Sequence, residues 1–285
     1  MGTSKGFGGP SNGLVPSWAD DPASGAAPAG QGSGTSTAAP PPAGPPPPVA
    51  PAPAVAPTPP PKTLTQARSK FTTFTKTGSS SALGGALRRH VNSTGGASGA
   101  ARRMGASRVT GGQLLGVVRD AQRVGVADAL RSRGLQQLIG RPAEEVFLGL
   151  IDLICLPGGP VDEGISRQAL LDAIQDQVEA GVVDFGDLTP DQLKEFFLDY
   201  IIRSIEGKVI SDIAAKSIQL PENVERALDL EEQLKDFIAG ATRSHLGELL
   251  EGPLTSLTDP QINDKVLQIY EAAFTLVEEA GEEAE

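Results

Sequence analysis

Residues 141–160, RPAEEVFLGLIDLICLPGGP, decide the fold class. Pro142 stands at a first helical position, where its missing N–H costs nothing, and Glu144 and Glu145 follow in the first turn, where the helix dipole favours carboxylates. Val146, Phe147, Leu148, Leu150, Ile151, Leu153 and Ile154 put apolar side chains on nearly every side, which predicts a central buried helix interrupted by Asp152. Leu156-Pro157-Gly158-Gly159-Pro160 stops it, and Gly158 and Gly159 between two prolines predict a rigid structural turn. Asp162 is placed to cap the next helix and Glu163 to pair with Arg167 at i,i+4, while Leu170, Leu171, Ile174 and Val178 form its apolar side.

Downstream, the spacing predicts three longer helices. Thr189-Pro190-Asp191 opens one with Leu193, Phe196, Phe197, Tyr200, Ile201 and Ile205, continuing to about residue 218, with Gly207 as a kink or a break. Pro221 starts another whose stripe reads Ala227, Leu230, Leu234, Ile238, Ala241, His245 and Leu249. The last, 260–280, uses Ile262, Val266, Tyr270, Ala273 and Val277 before an acidic end. No segment alternates with period two, so the expected body is all-α, a helical bundle.

Upstream, glycine and polar breaks cut residues 62–140 into short helices at about 64–74, 82–91, 98–104, 113–123 and 126–133. Leu64, Ala67, Phe71 and Phe74 draw one apolar stripe, weakened by Thr65, Thr72, Thr73, Thr75 and Thr77, and Ser98 is the candidate N-cap of the third helix. Charge is segregated along the chain: residues 1–61 carry net −1, residues 62–141 net +12 and residues 142–285 net −22. Arg88, Arg89, Arg102, Arg103 and Arg108 are therefore candidate contacts for phosphate or for an acidic partner face. No Phe, Tyr or Trp lies between Phe74 and Phe147, so the aromatic half of a single-strand-binding surface is missing.

Residues 1–61 read differently. Thirteen prolines fall in 40–61 after a Gly/Ala/Ser/Thr stretch, too little apolar content to offset chain entropy, so residues 19–61 are expected to be a disordered, semi-stiff tether. At about 3.1 Å per residue its last 22 positions reach up to roughly 70 Å. Ahead of it, residues 1–18, MGTSKGFGGPSNGLVPSW, form a linear motif. Gly2 becomes an open amine once Met1 is removed, and Trp18 is a candidate partner anchor. A single cysteine, Cys155, excludes an intramolecular disulfide framework and suits a reducing compartment. No run approaches a spanning helix, no secretory h-region is present, and Gly6 departs from the myristoylation pattern, so a cytoplasmic protein without membrane attachment is expected.

Self-contained chemistry is not visible. A cysteine ending an apolar helix reads as packed rather than nucleophilic. His245, on an apolar stripe, reads as a satisfied core histidine, and His90, after Arg88-Arg89, as a surface one. Two histidines and one cysteine make no zinc site, Asp162 and Glu163 diverge at a helix start, and Gly111-Gly112 and Gly158-Gly159 fit no phosphate loop. No catalytic residue, metal or cofactor is expected.

The opening MGTSKGFGGP followed by PSW, the segment Ala101-Arg102-Arg103-Met104-Gly105, and the run from Cys155 through Pro157-Gly158-Gly159-Pro160-Val161-Asp162-Glu163 to Arg167 together resemble the QatB family, the B component of bacterial Qat anti-phage defence systems. Here Leu156 is inserted after the cysteine, and Gly164 and Ser166 stand where the family pattern has alanines. Those departures argue against a metal or nucleophile role for Cys155. The resemblance implies a subunit without its own catalytic centre, working beside a predicted ATPase on which it docks, a QueC-like enzyme and a TatD-like nuclease. It further implies Gly2 as acceptor for conjugation by the QueC-like partner, with Thr3, Ser4 and Gly6 as an extended recognition segment. A nucleic-acid-contacting adaptor using residues 62–141 is the alternative.

Overall fold

Where apolar residues recur every three to four positions, the described part of the chain is helical. The computed structural model describes residues 61–155, 161–179, 181, 184–214, 223–252 and 254–285, all within one compact unit. Among the described residues ten α-helices run in order: α1 (Pro61–Thr77), α2 (Ser80–Ser93), α3 (Gly96–Arg103), α4 (Gly105–Val124), α5 (Val126–Ser132), α6 (Ala143–Ile154), α7 (Val161–Glu179), α8 (Pro190–Ala214), α9 (Val224–Leu249) and α10 (Asp259–Glu283). Among the described residues the only extended pairing is an isolated bridge between Pro142 and Asp184. No helix there is long and apolar enough to cross a membrane. The expected tether lies outside the described residues except at its last position, Pro61, which opens α1 instead, and the 156–160 turn lies outside them too.

The centre of the bundle is α8, not the helix predicted from residues 141–160. Leu193, Phe196, Phe197, Tyr200, Ile201, Ile205, Val209 and Ile213 are all buried, and α8 packs against α1, α2, α4, α7 and α9. Helix α6 buries Val146, Phe147, Leu150, Ile151 and Ile154 but leaves Leu148 45% and Leu153 42% exposed. It lies at the edge. A twelve-residue helix that is apolar all round predicts enclosure, but neighbours cover only one of its sides. Pro142 also shifts outward by one position: with ψ 146° it is the N-cap residue, and Ala143 is the first helical residue.

Several breaks expected from sequence are continuous helix instead. Gly111 and Gly112 stay inside α4, and the missing side chain at Gly111 lets other helices come close: a Cβ there would lie 3.3 Å from Val266 and 3.4 Å from the Tyr200 ring. Gly207 likewise sits within α8, and a Cβ there would meet Ile165 of α7 at 3.0 Å. These glycines set helix separation rather than ending helices. The threonines of α1 are tolerated because Thr72, Thr73, Thr75 and Thr77 donate to carbonyls three or four residues back, at 2.8–3.1 Å. Ser98 is not a cap. Helix α3 starts at Gly96 behind a left-handed Gly95, and the Ser98 hydroxyl donates to Glu271 of α10 at 2.8 Å.

Helices α2 and α10 cross almost backbone to backbone. A Cβ at Gly281 would stand 2.5 Å from the Gly84 carbonyl oxygen, and one at Gly84 would stand 2.8 Å from Ala284 Cβ. The crossing brings the basic N-terminal helices onto the acidic C-terminal turn.

Candidate functional site

That crossing holds the densest part of the basic block. The carboxylate of Glu285 accepts from Arg89 Nη1 at 2.5 Å and Arg88 Nη1 at 3.2 Å, with Lys70 Nζ also at 3.2 Å, while Arg88 reaches Glu282 at 3.4 Å. Gly85 leaves the room: a Cβ there would lie 2.7 Å from Glu285 Oε1. The Arg89 hydrogen bond, with those of Lys70 and Arg88, holds the Glu285 carboxyl down to about 2. Its ordinary value is 4.5, so the clasp is fully present above that value and is lost as pH falls toward 2. Because the pair is solvent-accessible, Glu285→Gln is expected to change neutral-pH stability by less than about 1 kcal/mol. Acid titration of helicity should show wild type losing an increment between pH 4.5 and 2 that the variant lacks.

Much of the remaining positive charge is also spent internally. Arg68 donates to the carbonyls of Asp212 and Ile213 at the end of α8, at 3.1 and 3.3 Å. Arg119 and Arg133 close on Asp120, which they hold below the usual carboxylate range against the upward push of burial, and Arg119 also bonds Asp259 at 2.7 Å. Arg102 and Arg103 differ: both are exposed at the end of α3 and, among the described residues, neither forms an ion pair or hydrogen bond. Arg108 is half-buried on α4, its Nε enclosed without a hydrogen-bond partner. The five candidate arginines therefore divide into a neutralised pair, an exposed pair and a half-buried one.

The histidines exchange the places expected of them. His90 is buried, its Nε2 3.1 Å from Asp212 Oδ2, and Asp212 continues to Lys208 at 3.3 Å and on to Asp162 at 2.9 Å. Burial pushes the Asp212 carboxyl up, but His90 and Lys208 together hold it below the ordinary value. His245 is exposed, with Glu248 at 3.6 Å. The apolar seam of α9 continues from Ile238 through Thr242 and Leu246, Thr242 satisfying its hydroxyl on Ile238 O at 2.7 Å. A buried threonine looks polar in sequence, so the true seam runs one position along from the Ala241–His245 stripe that spacing predicts.

Asp162 and Glu163 lie in the first turn of α7, Asp162 bound to Lys208 rather than acting as an N-cap. Arg167 does not pair with Glu163. It turns back to Asp152 at 3.1 Å and donates to Cys155 O at 3.3 Å, tying α7 to the end of α6. Cys155 is buried, with Sγ 3.7 Å from Thr110 Oγ1, and burial pushes its thiol up, away from nucleophilic behaviour. Thr110 accepts from Ser166 at 2.8 Å, Ser166 lies 2.9 Å from Tyr200 OH, and Tyr200 donates to Ser107 O at 2.8 Å. Ser166 is thus the junction of a buried hydroxyl chain. Tyr270, the only other tyrosine, meets Ser204 at 2.7 Å.

Above this chain lies a groove of about 290 Å³ between α4, α6 and α7, with Val109 and Leu153 at its mouth. A second depression of about 460 Å³ shares Gln113, Leu153 and Ile154 with it and runs to Asp259 and Asn263 of α10. Among the described residues no group of His, Cys, Asp and Glu has metal-binding geometry. Sequence reasoning missed Lys70, Glu282 and Glu285 as one site. The signal for it was the opposite charge of the two blocks, which says that they attract but not where. Gly2, Thr3, Ser4, Gly6 and Trp18, and the turn residues Gly158 and Gly159, lie outside the described residues.

The family model described as QatB, Qat anti-phage system associated protein QatB, matches residues 95–277, well over half of the chain. No curated protein and no solved structure matches.

Proposed function

The chain belongs to the QatB family and is a component of a Qat anti-phage system; from that premise we propose that it is a non-catalytic, cytoplasmic subunit whose helical body docks on the predicted ATPase of the system while Gly2 is presented to the QueC-like partner. The observation that supports this reading is the division of the chain. A helical body whose buried hydroxyls and thiol are committed to packing follows sixty-one residues rich in glycine and proline, opened by a small residue suited to methionine removal. In the step proposed, the QueC-like partner activates a 7-deazaguanine carboxylate with ATP, releasing pyrophosphate and leaving an acyl-adenylate. The Gly2 amine attacks the acyl carbon, an amide C–N bond forms, the acyl C–O bond breaks, AMP leaves, and the amine gives up a proton. Thr3, Ser4 and Gly6 serve as the recognition segment and Trp18 as an anchor, with the TatD-like nuclease of the system acting beside them.

Intact-mass measurement after co-expression with the QueC-like partner is expected to show the chain without Met1 plus one deazaguanine acyl group, with Gly2→Pro abolishing the increment. An unmodified Gly2 terminus beside an active partner overturns the reading. The exposed, unpaired Arg102 and Arg103 favour a second reading, contact with nucleic-acid phosphates. On that reading binding of a DNA or RNA oligonucleotide weakens steeply with salt, and Arg102→Ala with Arg103→Ala flattens the slope.

A further inference from the structure

Helix α8 carries one carboxylate that its surroundings do not satisfy. Glu206 is 3% exposed, and its Oε1 is buried without a hydrogen-bond partner. Arg203, one turn earlier, stands 3.6 Å from the other oxygen but spends its Nη2 on Asp176 of α7 at 3.0 Å, and its Nε is likewise buried and unpartnered. Lys235 of α9 leans on the same Asp176 at 3.4 Å. The seam therefore gathers Asp172 and Asp176 from α7, Arg203 and Glu206 from α8, and Glu231 and Lys235 from α9. Both cations are drawn to Asp176, and Glu206 is left over.

We propose that Glu206 is a proton-operated latch in the α7–α8–α9 seam: its neutral carboxyl lets the first half of α9 lie against α8, and its ionisation loosens that half. An ionised carboxylate enclosed without full hydrogen bonding is strongly disfavoured, so the seam accepts the neutral form and resists the charged one. Burial, with Glu231 and Asp172 acting in the same direction and Arg203 and Lys235 against it, pushes the Glu206 carboxyl up to about 7 from an ordinary 4.5. A raised value means that the stabilisation is fully present below pH 4.5 and is lost as pH rises through about 7.

The first half of α9 is the part free to respond. Helices α7 and α8 are packed closely at Gly207 and joined by Lys208 to Asp162 at 2.9 Å, and the second half of α9 is tied by Arg243 to Glu195 and Asp199 of α8. Residues 224–238 are held by Leu230, Leu234 and Ile238 and by the Lys235 contact, while Val224 and Leu228 stand 72% and 59% exposed. Loosening this half would enlarge an apolar surface already open at Val224 and Leu228.

Amide hydrogen exchange on the full chain between pH 5.5 and 8.5, with residues 224–238 normalised to α4 at each pH, reads the latch directly. In wild type the relative protection is expected to fall as pH rises, by up to about 30-fold across this range. Glu206→Gln, uncharged and of the same shape, should hold it constant, and Glu231→Gln, on an exposed site, removes a like charge and should shift the midpoint to lower pH with a smaller total loss. A flat wild-type profile, or a Glu206→Gln profile that follows wild type, overturns the proposal. Should Glu206→Gln fail to fold, an unmoved midpoint in Glu231→Gln overturns it as well.

Discussion

Replacing Phe147 with alanine is expected to cost the body about 3–5 kcal/mol, the range for deleting a large buried ring. The ring is 1% exposed and stands edge-on to Phe185 at 5.0 Å and 82°, and tilted against Phe196 at 4.7 Å and 49°. It joins α6, the 3-10 turn Phe185–Asp187 and α8 in one cluster, so truncation opens a cavity that three separate segments would have to collapse to fill. Leu148→Ala on the same helix removes a side chain that is 45% exposed and is expected to cost well under half as much. Urea unfolding followed by circular dichroism measures both. Equal losses at the two positions would mean that α6 is enclosed on all sides, contrary to the packing described.

The second large effect comes from adding atoms. Gly281→Val places a branched side chain where even a Cβ would stand 2.5 Å from the Gly84 carbonyl, so α10 must move away from α2, at an expected cost of about 3 kcal/mol. The displacement also pulls Glu285 from Lys70, Arg88 and Arg89. Loss of the acid-sensitive increment assigned to Glu285 should therefore accompany the loss of stability. Gly240 and Gly247 of α9, where a Cβ meets nothing within 4 Å, give the opposite sign: alanine there should stabilise by about 0.5–1 kcal/mol through backbone entropy alone. A shift in urea midpoint of the same sign at 240 and 281 would refute the role of the α2–α10 crossing.

The chain's own residues were enough to determine that the described part is all-helical. Apolar spacing at 3–4 residues and the absence of alternation are local signals, and they placed most helices within a few residues of their observed bounds, the exception being α4, which starts at Gly105 rather than at about 113. Ala67, Phe71 and Phe74 of α1 and Ile262, Val266, Tyr270, Ala273 and Val277 of α10 are buried as their stripes require. Segregation of charge into a basic and an acidic block was likewise plain from composition.

Which helix is central, which glycines separate helices rather than end them, and which ionisable groups lie inside were decided only by tertiary packing. Helix α6 and helix α8 both read as strongly apolar, and only the number of neighbours distinguishes an edge helix from a hub. His90 is buried and His245 exposed because Asp212 lies across from the first while Leu246, one position along, fills the seam beside the second. Glu206 stands in sequence among Arg203, Ser204 and Lys208, as a solvated glutamate would, and carries no local mark of its burial. Periodicity reports which side of a helix is apolar; what covers that side, and whether a charge there finds a partner, depends on residues distant in the chain that only the folded body brings together.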